Sequence, residues 1–127
     1  MERVLGRFGP QLYALMRIVV GLLFACHGAQ KLFGVLGGQH VVLASMFGLA
    51  GIIEFVGGLM VAIGLLTGTA AFIASGEMAY AYFTQHMPRA AAPIQNGGEL
   101  AVLYCFVFLY IASRGAGIWG VDKRTRI

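Results

Sequence analysis

The feature that most constrains this chain is a series of four apolar segments, about residues 11–33, 48–66, 69–86 and 97–114, separated by glycine, proline and charged residues. Each is about 18 to 23 residues long. At ~1.5 Å rise per residue a helix over such a segment reaches about 27–35 Å, enough to cross a hydrocarbon layer of ~30 Å when tilt is allowed. Strands of a membrane barrel would alternate over ~10 residues, and the runs Val20 to Cys26 and Val102 to Ile111 do not. A soluble globule is excluded by composition: 59% of the 127 residues are apolar and 11% are charged, less than half the ~25% typical of soluble domains. Nine Phe, five Tyr and one Trp exclude disorder. The sequence therefore predicts an all-α fold, an integral membrane four-helix bundle forming one domain over 1–127.

The formal net charge is +4, and its distribution argues for a lipid partner and against nucleic acid. Arg3 and Arg7 precede the first apolar segment, and Lys123, Arg124 and Arg126 follow the last. Basic ends are held at an anionic cytoplasmic leaflet, and four spans return the chain to the side it started from, so both termini are expected in the cytoplasm. The loops at 34–47 and 87–96, carrying His40 and Arg89, then face outward. Pro10 suits a first helical turn, and Thr67-Gly68 is expected to make the short turn between the second and third spans. Residues 40–47 either extend the second helix or lie along the interface. Arg17, His27 and Lys31 in the first segment argue against a cleaved signal peptide.

Charges inside the spans are the informative residues, because a lone charge at the bilayer centre costs about 2.5–3.5 kcal/mol even on insertion scales. Depth counting at ~1.5 Å per residue puts Arg17 about 9 Å and Glu77 about 12 Å from the inner ends of their helices, which pairs them. Glu54, about 9 Å below an outer end by the same count, groups with His27, Lys31, His86 and Glu99. His27 and Lys31, four residues apart, share a helix face. Arg17 and Lys31 oppose Glu54, Glu77 and Glu99, one carboxylate in excess, so one of the three calls for a raised pKa, a histidinium or a bound cation.

Structural roles compete with functional ones at each position. Arg17 and Glu77 would serve equally as a buried pair that fixes helix order. Glu99 follows Asn96 by three residues, a relative of the capping box, and Lys31 can snorkel to the interface. Glu54, between Ile52, Ile53, Phe55 and Val56, has no cap to make and no interface close by, which favours function. Gly48, Gly51, Gly57, Gly58 and Gly64 read as close helix approach. The aromatic stripe of Tyr80, Tyr82, Phe83, Tyr104, Phe106, Phe108 and Tyr110 reads as helix contact, though it would also suit a flat quinone ring. Cys26 and Cys105 read as buried, inert thiols without a C-x-x-C motif. His27, His86, Glu54 and Glu99 lack the spacing of a known metal site. No haem, flavin, dinucleotide or phosphate-loop motif occurs.

The run Arg17-Ile18-x-x-Gly21-x-x-Phe24-x-x-His27-Gly28-x-x-Lys31-Leu32-Phe33-Gly34 resembles the first helix of the DoxX family of small four-helix membrane proteins. Gly51-x-x-Glu54-x-x-Gly57-Gly58 with Gly64-Leu65-x-Thr67 is similar to its second helix, Met78-Ala79 with His86 to its third, and Asn96-Gly97-Gly98-Glu99-x-Ala101 to its fourth. Gly115-x-Gly117 with Asp122 matches its tail, and Gly120 departs from it where a serine is common. The resemblance implies a bacterial or archaeal inner membrane and a quinone-linked or thiol/sulfur-linked redox subunit that works with a redox partner protein or as a homo-oligomer. Glu54 and His27 would then be catalytic carriers of protons, with Arg17, Lys31, Glu77, His86 and Glu99 binding quinone or a small sulfur anion. A non-enzymatic anchor whose buried charges fix packing is the alternative, and a proton or small-solute conduit is a third.

Overall fold

The computed structural model describes residues 1–38 and 45–123, and every regular element among them is helical. Four long helices carry the fold: α1 Gly9–Phe33, α2 Met46–Ile63, α3 Thr67–Ala81 and α4 Glu99–Arg114. Short turns Glu2–Leu5 and Gly6–Phe8 lead into α1, and Pro93–Asn96 precedes α4.

Local chemistry explains the ends. Pro10 lies in the first turn of α1, and Gly34 closes that helix in the left-handed conformation. Ser45 caps α2 by accepting the Gly48 N–H at 3.1 Å, so the helix begins at Met46; of the open stretch 40–47, residues 40–44 lie outside the described residues. Gly64, with φ of 76°, ends α2. The turn between α2 and α3 is therefore Gly64–Leu66, and the expected turn residues Thr67 and Gly68 are the first residues of α3. Leu66 adopts φ of 47°, strained for a branched side chain, and is held there by Asp122 far along the chain. After Ala81 the third helix widens into a π turn, Tyr82–His86, closed by the Met87 N–H on the Tyr82 carbonyl.

The helices pack as two antiparallel pairs. In the first, α1 and α2 approach backbone to backbone: a Cβ on Gly58 would lie 2.6 Å from the Ala25 nitrogen, and one on Gly28 would strike the Phe55 backbone. Glycine at these positions is what permits that approach. In the second, Ala70, Ala71, Ala74 and Met78 of α3 pack on Ala101, Tyr104, Phe108 and Ile111 of α4. Phe24 joins the pairs, its ring 5.2 Å from Tyr104 and 4.7 Å from Phe108. Large apolar side chains face outward instead of inward: Leu15, Val19, Leu22, Leu23, Ile52, Val56, Phe72, Leu103 and Phe106 are all exposed. Such a surface suits lipid. Two helical stretches, Glu2–Phe33 and Met46–Ile63, are long and apolar enough to cross a membrane, whereas α3 and α4 have 15 and 16 residues.

A buried latch and a candidate cleft

The two ends of the bundle use polar residues in opposite ways. At the end holding the start of α1 and the tail after α4, Arg17 is fully buried. Its Nη1 donates to the Val61 and Ala62 carbonyls at 2.7 Å, and its Nη2 donates to those of Ile118 at 3.3 Å and Trp119 at 2.9 Å. A guanidinium thus satisfies carbonyls at the C-terminus of α2, where the helix dipole favours a cation, and pins the tail after α4 to the same spot. The tail continues the latch: Val121 and Asp122 donate their N–H groups to Ile63 and Gly64. The Asp122 carboxylate accepts from the Leu66 and Thr67 N–H groups and the Thr67 hydroxyl, each at 2.8 Å, capping α3 from outside. The Thr67 N–H holds this carboxyl below its usual range against the opposing effect of burial, helped by the Thr67 hydroxyl, the Leu66 N–H and the charge of Arg17. Gly120 has a packing reason: a Cβ there would lie 2.8 Å from that of Ala116.

The expected Arg17–Glu77 pair is therefore not formed. Arg17 sits level with Gly64, just before the turn into α3, and Glu77 lies ten residues beyond Thr67, about 15 Å away at ~1.5 Å per residue. Glu77 belongs to the other end.

There, α2 and α3 part from their short turn and leave a cleft of about 810 Å³ lined by all four helices. His27, Lys31, Glu54, Glu77, Gln85, His86 and Tyr104 supply its polar atoms, and Phe24, Leu49, Ile53, Ile73, Met78 and Leu100 are among its apolar walls. Lys31 donates from Nζ to the Glu54 Oε2 at 2.5 Å, with the Glu54 side chain almost wholly buried and that of Lys31 about one-third exposed. Glu77 lines the same cleft, and its buried Oε1 has no hydrogen-bond partner among the described residues. The His27 ring meets Tyr104 edge-on at 6.0 Å. His86 Nδ1 lies 3.2 Å from the Asn96 carbonyl, which can only accept, so this nitrogen donates. One ammonium and two carboxyls thus line the same cleft.

Of the expected site residues, the structure brings His27, Lys31, Glu54, Glu77 and His86 to one cleft. Arg17 is bound into the latch, and Glu99 is exposed in the first turn of α4. Asn96 does not use its side chain to cap α4 with Glu99. It is a buried hub that donates to the Tyr82 hydroxyl and the Ala90 carbonyl and accepts from the Gly98 N–H. Cys26 is exposed on α1 and Cys105 half-buried on α4, so neither is fully buried as expected; both are free thiols. Gln85 was missed as a lining residue; it falls in the π turn, which rotates side chains away from the positions an α-helical count gives. Among the described residues no three His, Cys, Asp or Glu side chains are grouped to hold a metal ion.

A bundle with an apolar exterior and a polar cleft between its helix pairs defines a small helical membrane protein. The chain belongs to the DoxX family, which it matches over residues 12–87. It is also similar to an uncharacterized protein of Haemophilus influenzae, at 42% identity across 94% of this chain and 95% of the relative. No solved structure matches it.

Proposed function

We propose that this chain spans the cytoplasmic membrane four times with both termini inside, and that its outward-side cleft binds the head of a quinone for a redox complex. The observation that carries this is the combination of apolar walls with one polar cluster, Lys31, Glu54 and Glu77 with His27 beside them. A quinone needs flat apolar packing for its ring, polar contacts for its oxygens and a proton route on redox change. Tyr104 and Phe24 supply the first, and His27 with the two carboxyls supply the others. Leu49, Ile73, Tyr80 and Leu100 are exposed at the rim of the cleft, so a ligand dissolved in the bilayer reaches it through an apolar entrance. In this proposal the electron-carrying group belongs to a partner protein or a second copy, and Glu99, exposed near the same end, is open to such a partner.

The test is mass-spectrometric identification of quinones retained by the chain purified in mild detergent, quantified per protein beside Glu54→Gln. Near-stoichiometric quinone that is lost in the variant is the expected result. Retention equal to that of an unrelated membrane protein would instead favour an assembly module, a reading that the wholly structural use of Arg17 and Asp122 favours at the other end. Topology is checked separately by reporter fusions at the two termini and in the loop between α3 and α4.

A further inference from the structure

We infer that the cleft prefers a head group that donates a hydrogen bond, a hydroquinone or similar phenol, over the corresponding carbonyl form, and that the Glu77 Oε1 is the acceptor. This rests on the quinone reading of the cleft and specifies which redox form it holds.

The argument is one of unmatched hydrogen-bonding groups. Lys31 is the strong donor in the cluster, and its ammonium is engaged by Glu54. Glu54 and Glu77 line the same cleft. His27, Gln85 and Tyr104 offer donors at the cleft, but the buried cleft atom left without a partner among the described residues is an acceptor, the Glu77 Oε1. As a carboxylate, or as an acid protonated on its other oxygen, Glu77 keeps lone pairs here. A quinone carbonyl brought against it would set two acceptors together, while a hydroxyl there would make an O–H···O bond to a carboxyl in a low-dielectric site, among the stronger hydrogen bonds available. A desolvated acceptor left unmatched is costly, so the matching form gains on both counts.

A metal cation would also supply positive charge, but hard cations take six or more oxygen ligands. The cleft has largely apolar walls and one ammonium already beside the carboxyls. A neutral donor with an apolar body satisfies both the oxygen and the walls. The inference concerns binding alone and involves no electron transfer.

The test uses the full chain in lipid nanodiscs under anaerobic conditions, with equilibrium dialysis of three probes: a decyl-benzoquinone, its hydroquinone reduced beforehand, and the dimethyl ether of that hydroquinone. The hydroquinone is expected to bind about tenfold more tightly than either of the others, the scale of one charge-assisted hydrogen bond. In Glu77→Gln, whose amide can donate to a carbonyl, the preference is expected to fall to near unity. If that variant does not fold, the ether comparison on the native chain still decides, because methylation removes the donor and keeps the ring. Equal binding of all three probes, tighter quinone than hydroquinone, or a preference that survives Glu77→Gln would overturn the inference and leave the cleft a quinone site. No binding of any probe would remove the quinone reading together with it.

Discussion

Among the described residues Arg17 and Glu54 are the most deeply buried charged side chains, yet they are buried for different ends. Around Arg17 four carbonyls accept from one guanidinium, whose Nε alone is without a partner among the described residues, and the tail and two helix ends are stitched by backbone and carboxylate bonds. Around Glu54 a single ammonium pairs with its carboxylate, and the Glu77 carboxyl lines the same open cleft. Burial of charge alone therefore does not mark a site. What distinguishes them is that main-chain carbonyls close over Arg17, whereas Glu54 and Glu77 line a cleft with room for a ligand.

This contrast is most easily broken at the latch. Arg17→Gln leaves buried carbonyls of α2 and the tail without donors, and is expected to cost about 3–5 kcal/mol and most of the folded yield. Monodispersity and thermal unfolding in detergent check it; a melting temperature within a few degrees of native would show that the latch does not hold the bundle. Gly58→Ala forces a Cβ into the α1 backbone, expected to cost about 1–3 kcal/mol. Gly76→Ala, with open space around its Cβ, serves as the near-neutral control in the same assay.

Asp122→Asn removes the carboxylate cap of α3 and is expected to cost about 1 kcal/mol. Because the folded state holds this carboxyl below its ordinary range, its contribution is complete above the unfolded value of about pH 4 and is lost as pH falls through the folded value. The native chain should therefore lose stability below about pH 4 more steeply than the variant; parallel profiles would contradict the cap. At the cleft, Glu54→Gln keeps an oxygen for Lys31 and is expected to change stability by less than about 1 kcal/mol. A loss as large as that of Arg17→Gln would make Glu54 a second latch.

The helical segments and the burial of Glu54 were legible in the sequence because they depend on local runs: apolar length, the glycines at Gly51 and Gly58, and a carboxyl with only apolar neighbours. The partner of Arg17 was not legible, since it is a set of main-chain carbonyls brought in from α2 and from residues 118–119, and carbonyls carry no residue signature. Depth counting matched Arg17 to Glu77 by assuming helices that start level. The turn after Gly64 and the returning tail shift that level, and the match fails. Asp122 was visible only as a matching tail residue, and its capping role emerged from the geometry at Thr67. His86 and Lys31 were placed at the same end by the same counting that misplaced Glu77, because both lie close to helix ends where the error is small.

The most direct test of the division between a structural end and a ligand end is photolabelling with an azido-quinone in proteoliposomes, followed by peptide mapping. Adducts within 46–54 and 73–86 that are competed away by unlabelled quinone are the predicted result. Labelling confined to the latch around Arg17 and the tail, or labelling that competitor does not reduce, would contradict the account.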